Sequence, residues 1–198
     1  MRKSSDLRKA EIVDTVLSLA DRIGPDRVTT GAVTAEIGIT QAALFRHFPT
    51  KAALWQAVAA SVAEAMTRAW DAALTGHSLP VDRIKAVIAA QLERIAATPA
   101  LPMLLFSREL NVENAELRMA FAGRLMAFHG HLRREIAAGQ QQKALRTDVA
   151  PDDAAMLLTS LVQGVAIRWT LGARAFPIRD EGLRMLDVQL RLLATREA

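Results

Sequence analysis

Arg46, His47 and Lys51 are the first side chains whose type and spacing suggest a chemistry. They lie in a stretch from Ile37 to Ala63 that holds no carboxylate, flanked by Glu36 and Glu64. A surface that offers cations without anions suits a polyanion, because phosphates meet attraction and no local repulsion. Thr50 is placed to N-cap the following helix, so Lys51 falls near free helix amides that also favour a phosphate. Catalytic chemistry finds no comparable pattern. The sequence has no nucleophile elbow, zinc-protease His pair, phosphate-binding loop or dinucleotide fingerprint. His47 has no neighbouring carboxylate or second His. His129 and His131 are two residues apart, which sets them on different sides of a helix and makes a poor metal pair. Asp152 and Asp153 fit the negative charge favoured at a helix N-terminus, and Glu113 and Glu116 read as solvated first-turn acids. The expectation is a protein that is not an enzyme and uses no metal and no cofactor.

The bulk composition supports a helical protein with a substantial core. The chain has 198 residues, of which 51% are hydrophobic and 23% charged, enough for one or two domains. There is no Cys, which excludes disulfides and thiolate chemistry and is compatible with the reducing cytosol. The net charge of +4 comes with a sequence pI near 10.1. That pI overstates the basic character: Tyr and Cys are both absent, so almost nothing titrates between His and Lys. The polar start, Met1-Arg2-Lys3-Ser4-Ser5, leads into no apolar signal region. The most apolar stretch, Ala154 to Leu171, contains Gln163, Gly164 and Arg168, and reads as a buried helix of a soluble protein. A cytoplasmic protein with no membrane partner is expected.

Apolar periodicity and Pro or Gly punctuation predict an all-α chain of about nine helices, with no strand alternation. The expected segments are Ser5 to Ile23, Thr30 to Ile37, Gln41 to Phe48, Lys51 to Leu74, Val81 to Ala97, a short apolar helix ending near Leu110, Asn114 to Gln140, a helix to Leu171 introduced by Pro151, and Arg179 to Thr195. Within this series, Thr29 and Thr40 can each N-cap a short helix. Gly38 stands between the two helices, where a tight turn favours a residue that tolerates positive φ. Val33, Ile37, Ile39, Leu44 and Phe48 can hold the pair against the first helix, leaving Gln41, Ala42, Ala43, Phe45, Arg46 and His47 outward. This is a helix-turn-helix pattern, whose second helix can enter the DNA major groove. A purely structural helix corner is the alternative, and for Phe45 alone so is core packing.

The ordered pattern resembles the TetR family of bacterial transcriptional regulators over about residues 6–66. The resemblance is carried by the Ile12-Val13 helix, Gly24, Val28-Thr29-Thr30, the Gly38-Ile39-Thr40 turn, Leu44-Phe45-Arg46-His47-Phe48, and Thr50-Lys51 leading to Leu54. It implies a helix-turn-helix DNA-binding domain at 6–66 and a helical bundle at 67–198 for ligand binding and dimerisation. It also implies a homodimer on double-stranded operator DNA, with Thr29, Thr40, Gln41, Ala42, Ala43, Phe45, Arg46, His47 and Lys51 as DNA contacts. A small, apolar effector that releases a repressor is the mode of action so implied; the alternatives are an effector-independent DNA-binding dimer that organises the chromosome, and a helical enzyme or scaffold. The chain departs from the family at Phe45, where a Tyr commonly hydrogen-bonds a phosphate, and at Thr34 and Ile37, where Ala is common.

Beyond Lys51, large pliable apolar residues recur, and their default role is core. With interleaved Arg94, Arg108 and Arg168, they also fit an apolar pocket with a few polar groups. Trp70, Met103, Phe106, Phe121, Met126, His129, Gln163 and Trp169 are the candidate lining. The last helix carries Leu183, Leu186, Leu190 and Leu193 in a 3-4-3 stripe. That stripe suits a helix-bundle interface with a second copy, or closure of the protomer's own core.

Overall fold

The computed structural model describes residues 4–195. The first three residues of the polar start, and the side chain of Glu113, lie outside the described residues. The described chain consists of helices: α1 (Ser5–Ile23), α2 (Thr30–Ile37), α3 (Gln41–His47), α4 (Lys51–Thr75), α5 (Pro80–Ala97), α6 (Leu101–Phe106), α7 (Arg108–Glu113), α8 (Ala115–Gln141), α9 (Pro151–Leu171) and α10 (Ile178–Leu193), with a 3-10 turn at Pro25–Arg27. No strand occurs among the described residues, and a lone antiparallel bridge joins Leu145 to Ala194. Ser4 caps α1 by accepting from the Leu7 amide at 3.3 Å. Gly24, at φ 85°, ends it and donates to the Ala20 carbonyl at 3.1 Å.

The single short helix expected before Leu110 is divided at Ser107. This residue is extended (φ −64°, ψ 107°), and its hydroxyl accepts from the Leu110 amide at 3.0 Å as the N-cap of α7. The same hydroxyl donates to the carboxylate of Asp26. Ser107 is buried, so one side chain both starts a helix and ties it to a turn far away in sequence.

The chain forms two compact units, residues 1–64 with 98–122, and residues 65–97 with 123–198. In the first, α1 packs against α2, α3 and α6, and α7 against the 3-10 turn. Its core holds Ile12, Val16 and Leu19 of α1, Val33, Leu44 and Phe48 around the turn, and Leu54, Trp55 and Val58 of α4, all buried.

In the second unit, α10 packs against α5 and α9, and α5 against α9. Gly182 makes the α10–α5 approach close: a Cβ there would overlap the Leu92 side chain. Helix α9 is long and apolar enough to cross a membrane by length and composition alone. In this structure one face of it, with Ala154, Ala155, Leu158, Val162, Val165 and Trp169, is buried in the core.

The leucine stripe of α10 requires a correction. Leu186, Leu190 and Leu193 are buried inside the protomer, and Leu183 is half-buried. α5 and α9 already cover this side, so the stripe closes the chain's own core. The apolar residues left exposed are Val188 and Leu192 on α10, and Met156, Leu157, Ile167 and Leu171 on α9.

Candidate nucleic-acid interface

Local sequence rules build the two short helices. Thr29 Oγ1 accepts from the Ala32 amide at 3.1 Å, and Thr40 Oγ1 from the Ala43 amide at 3.2 Å. Each bond satisfies one of the amide donors that a helix start leaves free. Gly38 adopts the left-handed conformation (φ 74°, ψ 39°), and its amide and that of Ile39 both donate to the Thr34 carbonyl at 3.0 Å. Thr34 is buried, with its hydroxyl donating to the Gly31 carbonyl at 3.0 Å, so this polar group is accommodated where Ala is common. Thr50 caps α4 through the Ala53 amide at 3.0 Å.

The outcome is an amphipathic α3 with a narrow anchor. Leu44 is wholly buried and Phe48 nearly so, whereas Gln41, Ala42, Phe45 and Arg46 are exposed and Ala43 and His47 half-buried. Phe45 is 39% exposed, so the surface position rather than core packing applies to this residue. Thr29, Thr40 and Lys51 are also exposed. Arg46 and Lys51 have no ion-pair partner among the described residues, which leaves both charges available to an outside anion. Glu36, at the edge of the carboxylate-free stretch, pairs with Arg22 of α1 at 2.9 Å. That pair reduces the repulsion this acid would offer a phosphate.

The expected pocket residues fall in different places. Met103, Phe106 and Phe121 belong to the first unit, and Trp70, Met126, His129, Gln163 and Trp169 to the second. Trp70, Phe121 and Trp169 are buried, while Phe106 is 53% and Met126 74% exposed. Trp70 packs at a tilt against Phe128 and His131 at ring distances of 5.5 and 5.6 Å, and its indole donates to Gln91 Oε1 at 2.9 Å. Gln91 carried no sequence signal, because a lone polar residue on an amphipathic helix looks solvated. His129 Nε2 meets Asp152 Oδ1 at 3.0 Å, and His131 Nδ1 meets Arg134 at 2.9 Å. The two histidines therefore serve separate partners. Burial and the neighbouring Arg134 lower the His131 pKa from its ordinary 6.5. Two buried nitrogens, Arg94 Nε and His129 Nδ1, have no hydrogen-bond partner among the described residues.

Comparison with known proteins agrees with this geometry. Residues 12–58 match the family described as bacterial regulatory proteins, tetR family. Residues 80–194 match that of the BetI-type transcriptional repressor, C-terminal. The nucleoid occlusion factor SlmA of Marinomonas sp. (strain MWYL1) is 22% identical over 164 residues, 83% of each chain. SlmA of Vibrio atlanticus is 30% identical over 118 residues, and that match spans 59% of each chain. The fold is shared with a putative transcriptional regulator from Saccharomonospora viridis in complex with choline. The TM-score is 0.80 at 21% identity, over 97% of this chain and 100% of that one. With a capped helix-turn-helix under the first match and a second match spanning more than half its length, the chain belongs to the TetR family of bacterial transcriptional regulators.

Proposed function

We propose that this protein is a cytoplasmic repressor that binds a palindromic operator as a homodimer and is released by a small effector. The observation that carries the reading is the exposed face of α3, with unpaired Arg46 and Lys51 in a stretch without carboxylates. Gln41 reads base edges, Arg46 and Lys51 hold phosphates, and Thr29, Thr40 and His47 fix the backbone; Ala42, Ala43 and Phe45 supply apolar contact. A twofold dimer presents two such helices to half-sites about one helical turn apart, ~34 Å. The apolar residues left exposed on α9 and α10 supply the face for the second copy. The unpartnered Arg94 Nε and His129 Nδ1 support a largely apolar effector with a polar group, bound in the helical bundle. Binding there shifts the population toward a form that cannot engage both half-sites, acting through α4, which contributes residues to both compact units.

Titration of the protein with DNA from upstream of its own gene, across a series of salt concentrations, tests the reading. Arg46→Ala and Lys51→Ala are each expected to weaken binding across all sequences and to lower the salt slope by about one. Unchanged affinity and slope in both variants would sink it. A second reading, an effector-independent DNA-binding protein of chromosome organisation, is favoured by the SlmA relatives. Chromosome-wide occupancy mapping separates the two: sites dispersed along the chromosome support the second, one or a few promoter sites the first.

A further inference from the structure

The exposed side chains at the start of α3 are one amide and small or aromatic apolar groups, and they point to a base composition. We propose that α3 reads adenine–thymine pairs: Gln41 hydrogen-bonds an adenine edge, and Ala42, Ala43 and Phe45 pack on thymine methyl groups. The inference rests on the DNA-binding function above and names what that surface recognises.

A recognition helix presents its N-terminal residues to the base edges. Among residues 41–43 only Gln41 has a polar side chain. Its amide offers one donor and one acceptor, which match the N6 donor and N7 acceptor of adenine, whereas guanine presents two acceptors and is commonly taken by Arg or Lys. The one arginine of α3, Arg46, lies in the last turn. It is about 7.5 Å further along the helix axis than Gln41, at 1.5 Å per residue, and is placed for the backbone instead. Ala42 and Phe45 are exposed and Ala43 half-exposed. Exposed apolar groups at the groove find one apolar partner on a base edge, the thymine C5 methyl.

Gly31 of α2 adds an independent observation. A Cβ at this position would stand 3.5 Å from Gln41 Nε2 and 3.8 Å from Thr29 Oγ1. The Gln41 amide therefore rests against the first turn of α2, in a notch that a bulky residue at position 31 would fill. The backbone of Gly31 has an ordinary negative φ, since the positive-φ glycines are Gly24 and Gly38. What Gly31 contributes is space, which makes it a positioning residue for Gln41.

The test begins with selection of duplexes from a random pool by the purified full-length chain. A·T pairs are expected at the positions under residues 41–45. Replacing a contacted thymine by deoxyuridine removes only its methyl and is expected to weaken binding about fourfold per base, the value of one buried methylene-sized group. Gln41→Ala is expected to abolish adenine preference at one position, a loss of about 5- to 150-fold in discrimination. Gly31→Leu is expected to weaken discrimination at that same position while keeping or raising the melting temperature, because Leu is the better helix former. That combination distinguishes a displaced Gln41 from a damaged helix. Guanine at the selected positions, indifference to deoxyuridine, or undiminished adenine preference in Gln41→Ala overturns the proposal and leaves DNA binding standing. Failure to enrich any duplex overturns both.

Discussion

Single residues carry the contrast between contacts that specify and contacts that hold. Phe45 is exposed on α3 without a polar tip, so it lacks the phosphate bond that a Tyr would add. Phe45→Tyr is expected to tighten duplex binding by about 0.5–1.5 kcal/mol, with little change in sequence preference; anisotropy titrations on operator and unrelated DNA check both parts. At His131 the consequence concerns stability. Its folded pKa is lowered by burial first and then by Arg134, against smaller opposing effects of Asp71 and Glu135. The unfolded chain then binds the proton more readily than the folded one, so the contribution is present above pH 6.5 and declines as pH falls below it. Thermal melts from pH 7.5 to 5 are expected to show that decline, and His131→Gln should flatten part of it. The build of the helix-turn-helix was legible because Thr caps, Gly38 and the Leu44–Phe48 spacing are local signals. The Ser107–Asp26 and Trp70–Gln91 hydrogen bonds were not. Each joins residues far apart in sequence, and nothing in either segment announces its partner.

At the scale of elements, α10 shows where periodicity stops being informative. Its helix has apolar residues on two sides, Leu186 and Leu190 on one, and Val188 and Leu192 on another. A 3-4-3 stripe establishes a helix with a buried face but not which neighbour buries it. Packing against α5 decides that, and the small Gly182 against Leu92 sets how close the two helices come. Gly182→Ala should therefore destabilise the protein despite the better helix propensity of Ala, by about 1–3 kcal/mol as an overpacked contact. Chemical denaturation reads this directly, and an unchanged midpoint would mean that Leu92 moves aside at no cost. The division of the segment before α8 at Ser107 escaped periodicity for a related reason. A capping Ser inside an apolar run becomes a boundary only when its backbone turns extended, and here a distant carboxylate takes its hydroxyl.

For the whole molecule, separate faces of α9 and α10 serve the protomer and the proposed dimer. Leu186→Ala opens a cavity in the protomer core and should cost about 2–5 kcal/mol of stability. Leu157→Glu with Leu192→Glu changes two exposed residues. It should shift sedimentation from dimer to monomer while leaving each protomer folded, because neither residue belongs to the protomer core. Operator affinity should fall with it, since half-sites then bind one head at a time. A double variant that still sediments as a dimer would place the interface elsewhere. The way α3 is fastened has a different kind of consequence, one that concerns descent rather than binding. Leu44 and Phe48 anchor this segment in the core, and the surface residues beside them are spared that duty. Their replacement costs the fold little, so mutation can explore them almost neutrally. A duplicated copy of the gene could acquire a new target by changing Gln41 and its neighbours while inheriting the scaffold intact, and Gly31 would set which side chains at position 41 such a lineage could try.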